Sequence, residues 1–146
     1  MKKIILVSLL SLFIWHTAIA QTTETKEANP ADVASVDAIM KVVYDLISGD
    51  AGQKRDWDRF RTLFHKDARM IPTGKNPQTS VVGARAFTPE EYITRSSPVM
   101  EKDGLFEKEI ARRSETFGNI THVFSTYEAF RKKDDKKPFI RGINSF

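Results

Sequence analysis

The chain has 146 residues, with 23 basic and 19 acidic side chains and no cysteine, which excludes disulfides, thiolate metal sites, a cysteine nucleophile and a lipidated cysteine. Two of the lysines fall in the first 20 residues, leaving 21 basic against 19 acidic groups beyond them and no clustered cationic stripe. Nucleic-acid binding, which needs such a stripe, is therefore not expected.

Met1-Lys2-Lys3 is a short positive start, and Ile4 to Trp15 is an apolar run too short to cross a bilayer at roughly 20 residues. Ala18-Ile19-Ala20 then supplies the small-x-small pattern of a cleavage site, so residues 1–20 read as a signal peptide cut before Gln21. The expected product is exported, periplasmic or secreted, with no membrane attachment after processing. Residues 21–30 read as a disordered polar lead-in, and the remainder, residues 31–146, suits a single domain.

Asn29-Pro30 looks like an N-cap followed by proline at the first helical position. Val33, Val36, Ile39, Met40, Val43, Leu46 and Ile47 recur at spacings of three and four, which predicts a helix with one buried face, ending at Ser48-Gly49. Asp56 caps a short second helix in which Trp57, Phe60, Leu63 and Phe64 share a side. These aromatic residues either fill the core or wall a ligand pocket. Residues 68–72 read as a short strand, residues 73–80 as a polar loop and residues 81–87 as a second short strand.

Thr88-Pro89-Glu90-Glu91 has the form of a capping box and opens a third helix, with Pro98 as a kink position and Gly104 as its end. From Leu105 the period becomes extended. Gly118-Asn119 suits a two-residue hairpin turn between two strands of about a dozen residues. Residues 131–138 form a charged turn, and residues 139–146 resume as a strand.

Asp56-Trp57-Asp58-Arg59-Phe60, then Leu63-Phe64-His65-Lys66-Asp67-Ala68-Arg69, and finally Phe117 through Glu128 resemble exported bacterial members of the nuclear transport factor 2-like superfamily, of the SnoaL-like type. Ketosteroid isomerase and scytalone dehydratase belong to the same superfamily. The resemblance spans nearly all of residues 31–146. It implies an α+β fold, a cone-shaped, strongly bent, mostly antiparallel sheet wrapped around the N-terminal helices. It also implies a pocket at the open end and a homodimer formed through the sheet.

The same resemblance makes the chain one strand short at its C-terminal end. Arg141 to Ser145 is similar to the family's penultimate strand, and the family's final strand lies between that strand and the early short ones. The expectation is a gap or irregular closure between residues 139–146 and residues 68–72, with poor solubility.

No set of catalytic residues carries over from the family, so candidates come from residue chemistry. A general base must reach the proton it takes and titrate near the working pH, which histidine does with little tuning. Strand alternation puts Ile120, His122, Phe124 and Thr126 on one face and Thr121, Val123, Ser125 and Tyr127 on the other. His122 is a catalytic candidate if the first face lines the pocket and lies outside it otherwise. His65, at the end of the second helix, fits a capping or surface role.

In the preceding strand, alternation groups Glu107, Glu109, Ala111 and Arg113 against Phe106, Lys108, Ile110 and Arg112. Glu109 is the candidate base there, with Arg112 orienting an anionic ligand, or the charges form exposed cross-strand pairs. Tyr92 and Tyr127 are candidate hydrogen-bond donors to an oxyanion. The expected pocket thus draws on Trp57, Phe64, Tyr92 and Arg112, and the catalytic set on His122, Glu109 and Tyr127.

Gly74-Lys75 lacks the upstream glycine of a phosphate loop, and neither a His-Glu-x-x-His nor a Gly-x-Ser-x-Gly string occurs. No metal or cofactor is expected. The leading functional expectation is a domain that binds a small, partly apolar molecule in an aromatic-lined pocket. The alternative is a cofactor-free isomerase, dehydratase or cyclase working by general acid-base catalysis. An ionisable pair converging with a tyrosine inside a closed cavity favours the alternative, whereas a cavity lined only by aliphatic and aromatic residues favours binding.

Overall fold

The computed structural model describes residues 26–146, so the expectations for residues 1–20 lie outside the described residues. Those described form an α+β fold with three α-helices and two antiparallel sheets, of two and three strands. No described helix is long and apolar enough to cross a membrane.

The first helix starts later than its first proline. Asn29 caps a single 3-10 turn, Pro30–Asp32, accepting from the Ala31 N–H at 3.0 Å. The chain then passes through extended Ser35, whose hydroxyl accepts from the Ala38 N–H at 3.1 Å and opens α1, Val36–Ile47. Two caps in succession make two short elements, which leaves Val33 outside the helix. Asp56 caps α2, Trp57–Thr62, through the Arg59 N–H.

Residues 68–72 do not form a strand. Met70 and Phe87 exchange one pair of hydrogen bonds, but Pro72 has no N–H to continue the ladder. The regular hairpin begins just beyond it, as β1, Thr73–Lys75, pairing with β2, Val82–Ala84. The turn between them is organised by Asn76, whose side chain accepts from the N–H groups of Gln78 and Thr79.

The capping box forms as the sequence implies. The Thr88 hydroxyl accepts from the Glu91 N–H at 3.1 Å, and Glu91 accepts from the Thr88 N–H at 2.8 Å. α3, Pro89–Asp103, runs on through Pro98 and stops at Gly104, whose φ of 72° suits glycine.

β3, Phe106–Phe117, and β4, Ile120–Phe130, form a long hairpin turning at Gly118-Asn119, and β5, Ile140–Ser145, pairs with the far side of β4. A bulge at Ile110 breaks the register between Glu109 and Ala111. Beyond it every side chain changes face relative to simple alternation. Arg112 therefore joins Glu107 and Glu109 on the inner face, which corrects the grouping expected from sequence.

The inner face of this sheet packs against α1. Met40, Ile47, Phe60 and Val123 are buried together with Ile93 from α3. Val36, Ile39, Trp57 and Phe64 are only half-buried. Three of these four, Val36, Ile39 and Phe64, border the cavity described below. Among the described residues β5 pairs with β4 alone, and no ladder joins it to residues 68–72 or to the β1–β2 hairpin.

Candidate functional site

Between α1 and the inner face of β3–β5 lies a cavity of about 1210 Å³. Its inner wall is apolar and aromatic: Met40, Val43 and Ile47 from α1, Phe60 from α2 and Val123 from β4 are all buried. Phe60 organises the aromatic side, with the rings of Phe64 at 4.8 Å and Tyr92 at 5.8 Å. The mouth is formed by two separate chain segments, Arg69 to Thr73, exposed except for half-buried Met70, on one side and exposed Ile143, Ser145 and Phe146 on the other.

The polar groups inside collect at one place. Glu107, Tyr44, Tyr92, Tyr127 and Asn144 all border the cavity. The Asn144 side-chain nitrogen donates to Glu107 Oε1 at 3.2 Å and to the Tyr44 hydroxyl at 3.3 Å. Tyr44 meets the Ser125 hydroxyl at 2.7 Å, and Ser125 donates to Glu109 Oε1 at 2.6 Å. Glu109 is gripped by Arg112 through two nitrogens, and Arg112 also reaches Asp37 on α1.

The hydrogens in this chain have one consistent arrangement. An ionised carboxylate only accepts, so Ser125 spends its single proton on Glu109. Tyr44 must then donate to Ser125, and the tyrosine oxygen receives one of the two Asn144 protons. The other goes to Glu107. The Arg112–Glu109 pair thereby fixes which end of the Asn144 amide faces the cavity.

The two glutamates have opposite electrostatic situations. The Arg112 guanidinium, followed by the Ser125 hydrogen bond, holds Glu109 below the usual carboxylate range. No described cation lies beside Glu107. Burial pushes it up to about 7, against the opposing hydrogen bond from Asn144. Burial also raises the phenols of Tyr92, Tyr127 and Tyr44, and the Glu107 charge adds to the rise in each. At neutral pH the site therefore holds neutral tyrosines around a carboxyl that gains and loses its proton.

The residues singled out from sequence divide between this site and other places. Phe64, Tyr92 and Tyr127 line the cavity. Trp57 stands behind Phe60, edge-on at 5.4 Å, with its indole nitrogen buried and unpartnered among the described residues. Glu109 and Arg112 form an ion pair outside the cavity wall. The face that carries Val123, Ser125 and Tyr127 is the inner one, so His122 lies on the outer face. There its ring packs on Phe124 at 4.4 Å and Nε2 meets the Ser145 hydroxyl.

Sequence reasoning passed over Tyr44 and Asn144 and preferred Glu109 to Glu107. Tyr44 had a usable signal, a phenol placed four residues after Met40 on the buried side of α1. Asn144 had none, since the inward face of β5 is set by its pairing with β4. Among the described residues no group of three or more His, Cys, Asp or Glu side chains is placed to hold a metal ion. Comparison with known proteins finds no matching family model, no matching curated protein and no matching solved structure.

Proposed function

We propose that this is an exported domain of SnoaL-like type that binds a small, partly apolar molecule in the cavity between α1 and the inner sheet face. The reading rests on one observation above others. A volume of about 1210 Å³ has apolar and aromatic inner walls and gathers its polar groups around Glu107. Such a division orients a ligand with an apolar body and one polar end. The lysines, apolar run and Ala18-Ile19-Ala20 at the N-terminus support export.

The same proposal includes the bent, cone-like sheet of the resembled superfamily and a homodimer formed through the outer sheet face. The exposed Phe124 and Ile143, neighbours of Thr126 on that face, support the dimer.

A second reading, a cofactor-free isomerase, dehydratase or cyclase, is favoured by Glu107 itself. A carboxyl titrating near 7 beside phenols is matched to taking a proton from a bound molecule and returning it. In that reading Glu107 is the acid-base group and Tyr92 and Tyr127 donate to the developing oxyanion.

Titration of the purified protein with N-phenylnaphthylamine, a neutral apolar fluorophore, tests the binding reading. Saturable fluorescence enhancement is expected, weakened in Val43→Trp, which puts a bulky ring against the inner wall of the cavity, and kept in Phe124→Ala on the outer face. Equal enhancement by folded Val43→Trp rules the cavity out. Glu107→Gln separates the two functional readings, because it abolishes proton transfer while leaving apolar binding in place.

A further inference from the structure

When Glu107 is ionised, the interior of the cavity carries a negative charge that no described cation balances. Glu107 lines the cavity, its Oε1 accepts from Asn144, and no described residue hydrogen-bonds its Oε2. The groups facing Glu107 from the packed elements are Tyr44 of α1, Tyr92 of α3, Tyr127 of β4 and Asn144 of β5, none of them cationic. Its strand neighbour Glu109 is already neutralised by Arg112. The basic side chains among the lining residues, His65 and Arg69, are exposed at the mouth. There Arg69 is tied to the Ala68 carbonyl and His65 lies beside Asp67.

We propose that the polar end of the cavity receives an organic ammonium group, its cation paired with Glu107 Oε2 beside Tyr92 and Tyr127 and its apolar body lying along Met40, Val43 and Phe60. This inference rests on the small-molecule reading above and names the ligand class. An ammonium supplies the counter-charge that the carboxylate lacks, in surroundings where an unpaired charge is costly. Aromatic side chains around it add the attraction of their electron-rich faces. A carboxylate ligand meets Glu107 with like charge, and a neutral one leaves the site to be discharged by a proton.

The pH dependence has a definite sign. The ammonium binds the ionised carboxylate, so its affinity rises as Glu107 loses its proton, and binding near neutrality expels protons.

Calorimetric titration of the purified protein with phenylbutylamine, phenylbutanol and phenylbutanoate tests the class directly. The ammonium is expected to bind about tenfold more tightly at about pH 8 than at about pH 6, and to outrank both relatives at the higher pH. In Glu107→Gln its advantage over the alcohol should vanish while the alcohol still binds. In wild-type protein, buffers of different ionisation enthalpy should reveal roughly half a proton released per ammonium bound near pH 7 and none per alcohol. That measurement needs no variant. Alcohol or carboxylate binding as tight as the amine at the higher pH, an amine advantage that survives in folded Glu107→Gln, or binding without proton release overturns the ammonium assignment and leaves the small-molecule reading standing. Binding by none of the three overturns both.

Discussion

Arg55 is the residue on which the junction of α1 with the rest of the domain depends. It is buried, and its guanidinium donates to the carbonyls of Ile47, Asp50, Gly49, Gln53 and Met100, closing the C-terminal end of α1 and tying it to α3. Gly49 makes room for it, since a Cβ there would stand 2.7 Å from the guanidinium carbon. Helix ends leave carbonyls that need donors. Arg55→Ala orphans several at once and should cost about 3 kcal/mol or more in urea unfolding. A cost under about 1 kcal/mol contradicts this role.

Glu107 sets a second residue-scale expectation. Its value in the fold, about 7, lies above its ordinary 4.5. Between those values the folded protein keeps a proton that the unfolded chain has lost, so stability falls as pH rises through that window and levels off above it. Glu107→Gln should remove the slope and stabilise the protein on the alkaline side by on the order of 2 kcal/mol. Unfolding curves across the window check the sign. An unchanged slope in the variant means that Glu107 titrates normally. Which glutamate matters was not legible from alternation, because residue identity does not reveal how Arg112 and Glu109 pair across a bulge.

At the scale of elements, the helices were legible because their caps are local chemistry. Asp56, Thr88 with Glu91, and Gly104 each act within a few residues of their own position. The β1–β2 hairpin was misplaced because its start depends on where Pro72 interrupts pairing, and the inner face of β3 because one extra residue at Ile110 shifts the register. β5 adds a close contact of its own. Gly142 lies under Tyr127, and a Cβ there would come within 2.7 Å of the phenol oxygen. Gly142→Ala should displace Tyr127 and destabilise by about 1–3 kcal/mol, with most of that cost absent when Tyr127→Leu is already in place. Additive costs in the double variant contradict the contact.

At the scale of the molecule, β5 is an open edge of its sheet among the described residues. Phe146 exchanges both hydrogen bonds with Val123, so ladder alternation turns the backbone groups of Ser145, Ile143 and Arg141 away from β4. Next to this edge the outer face exposes Phe124 at 48% and Ile143 at 67%. An open edge beside an apolar face favours association of two kinds, edge to edge and face to face. They separate by substitution. Phe124→Lys should convert a sheet-face dimer to monomer in sedimentation velocity, whereas Ser145→Pro, which removes an outward N–H and leaves Phe124 and Ile143 in place, should keep the dimer and suppress larger aggregates. A dimer that survives Phe124→Lys contradicts the face-mediated arrangement.

All three scales meet in the cavity, whose walls come from α1, α2, α3 and the inner sheet face. The most direct test of its role is to record intermolecular nuclear Overhauser effects between bound N-phenylnaphthylamine and the protein's methyl groups. Contacts to Met40, Val43 and Val123 are expected, and contacts confined to the exposed Ile110 and Ile120, which lie outside the cavity, or none at all, would contradict a small-molecule site at Glu107.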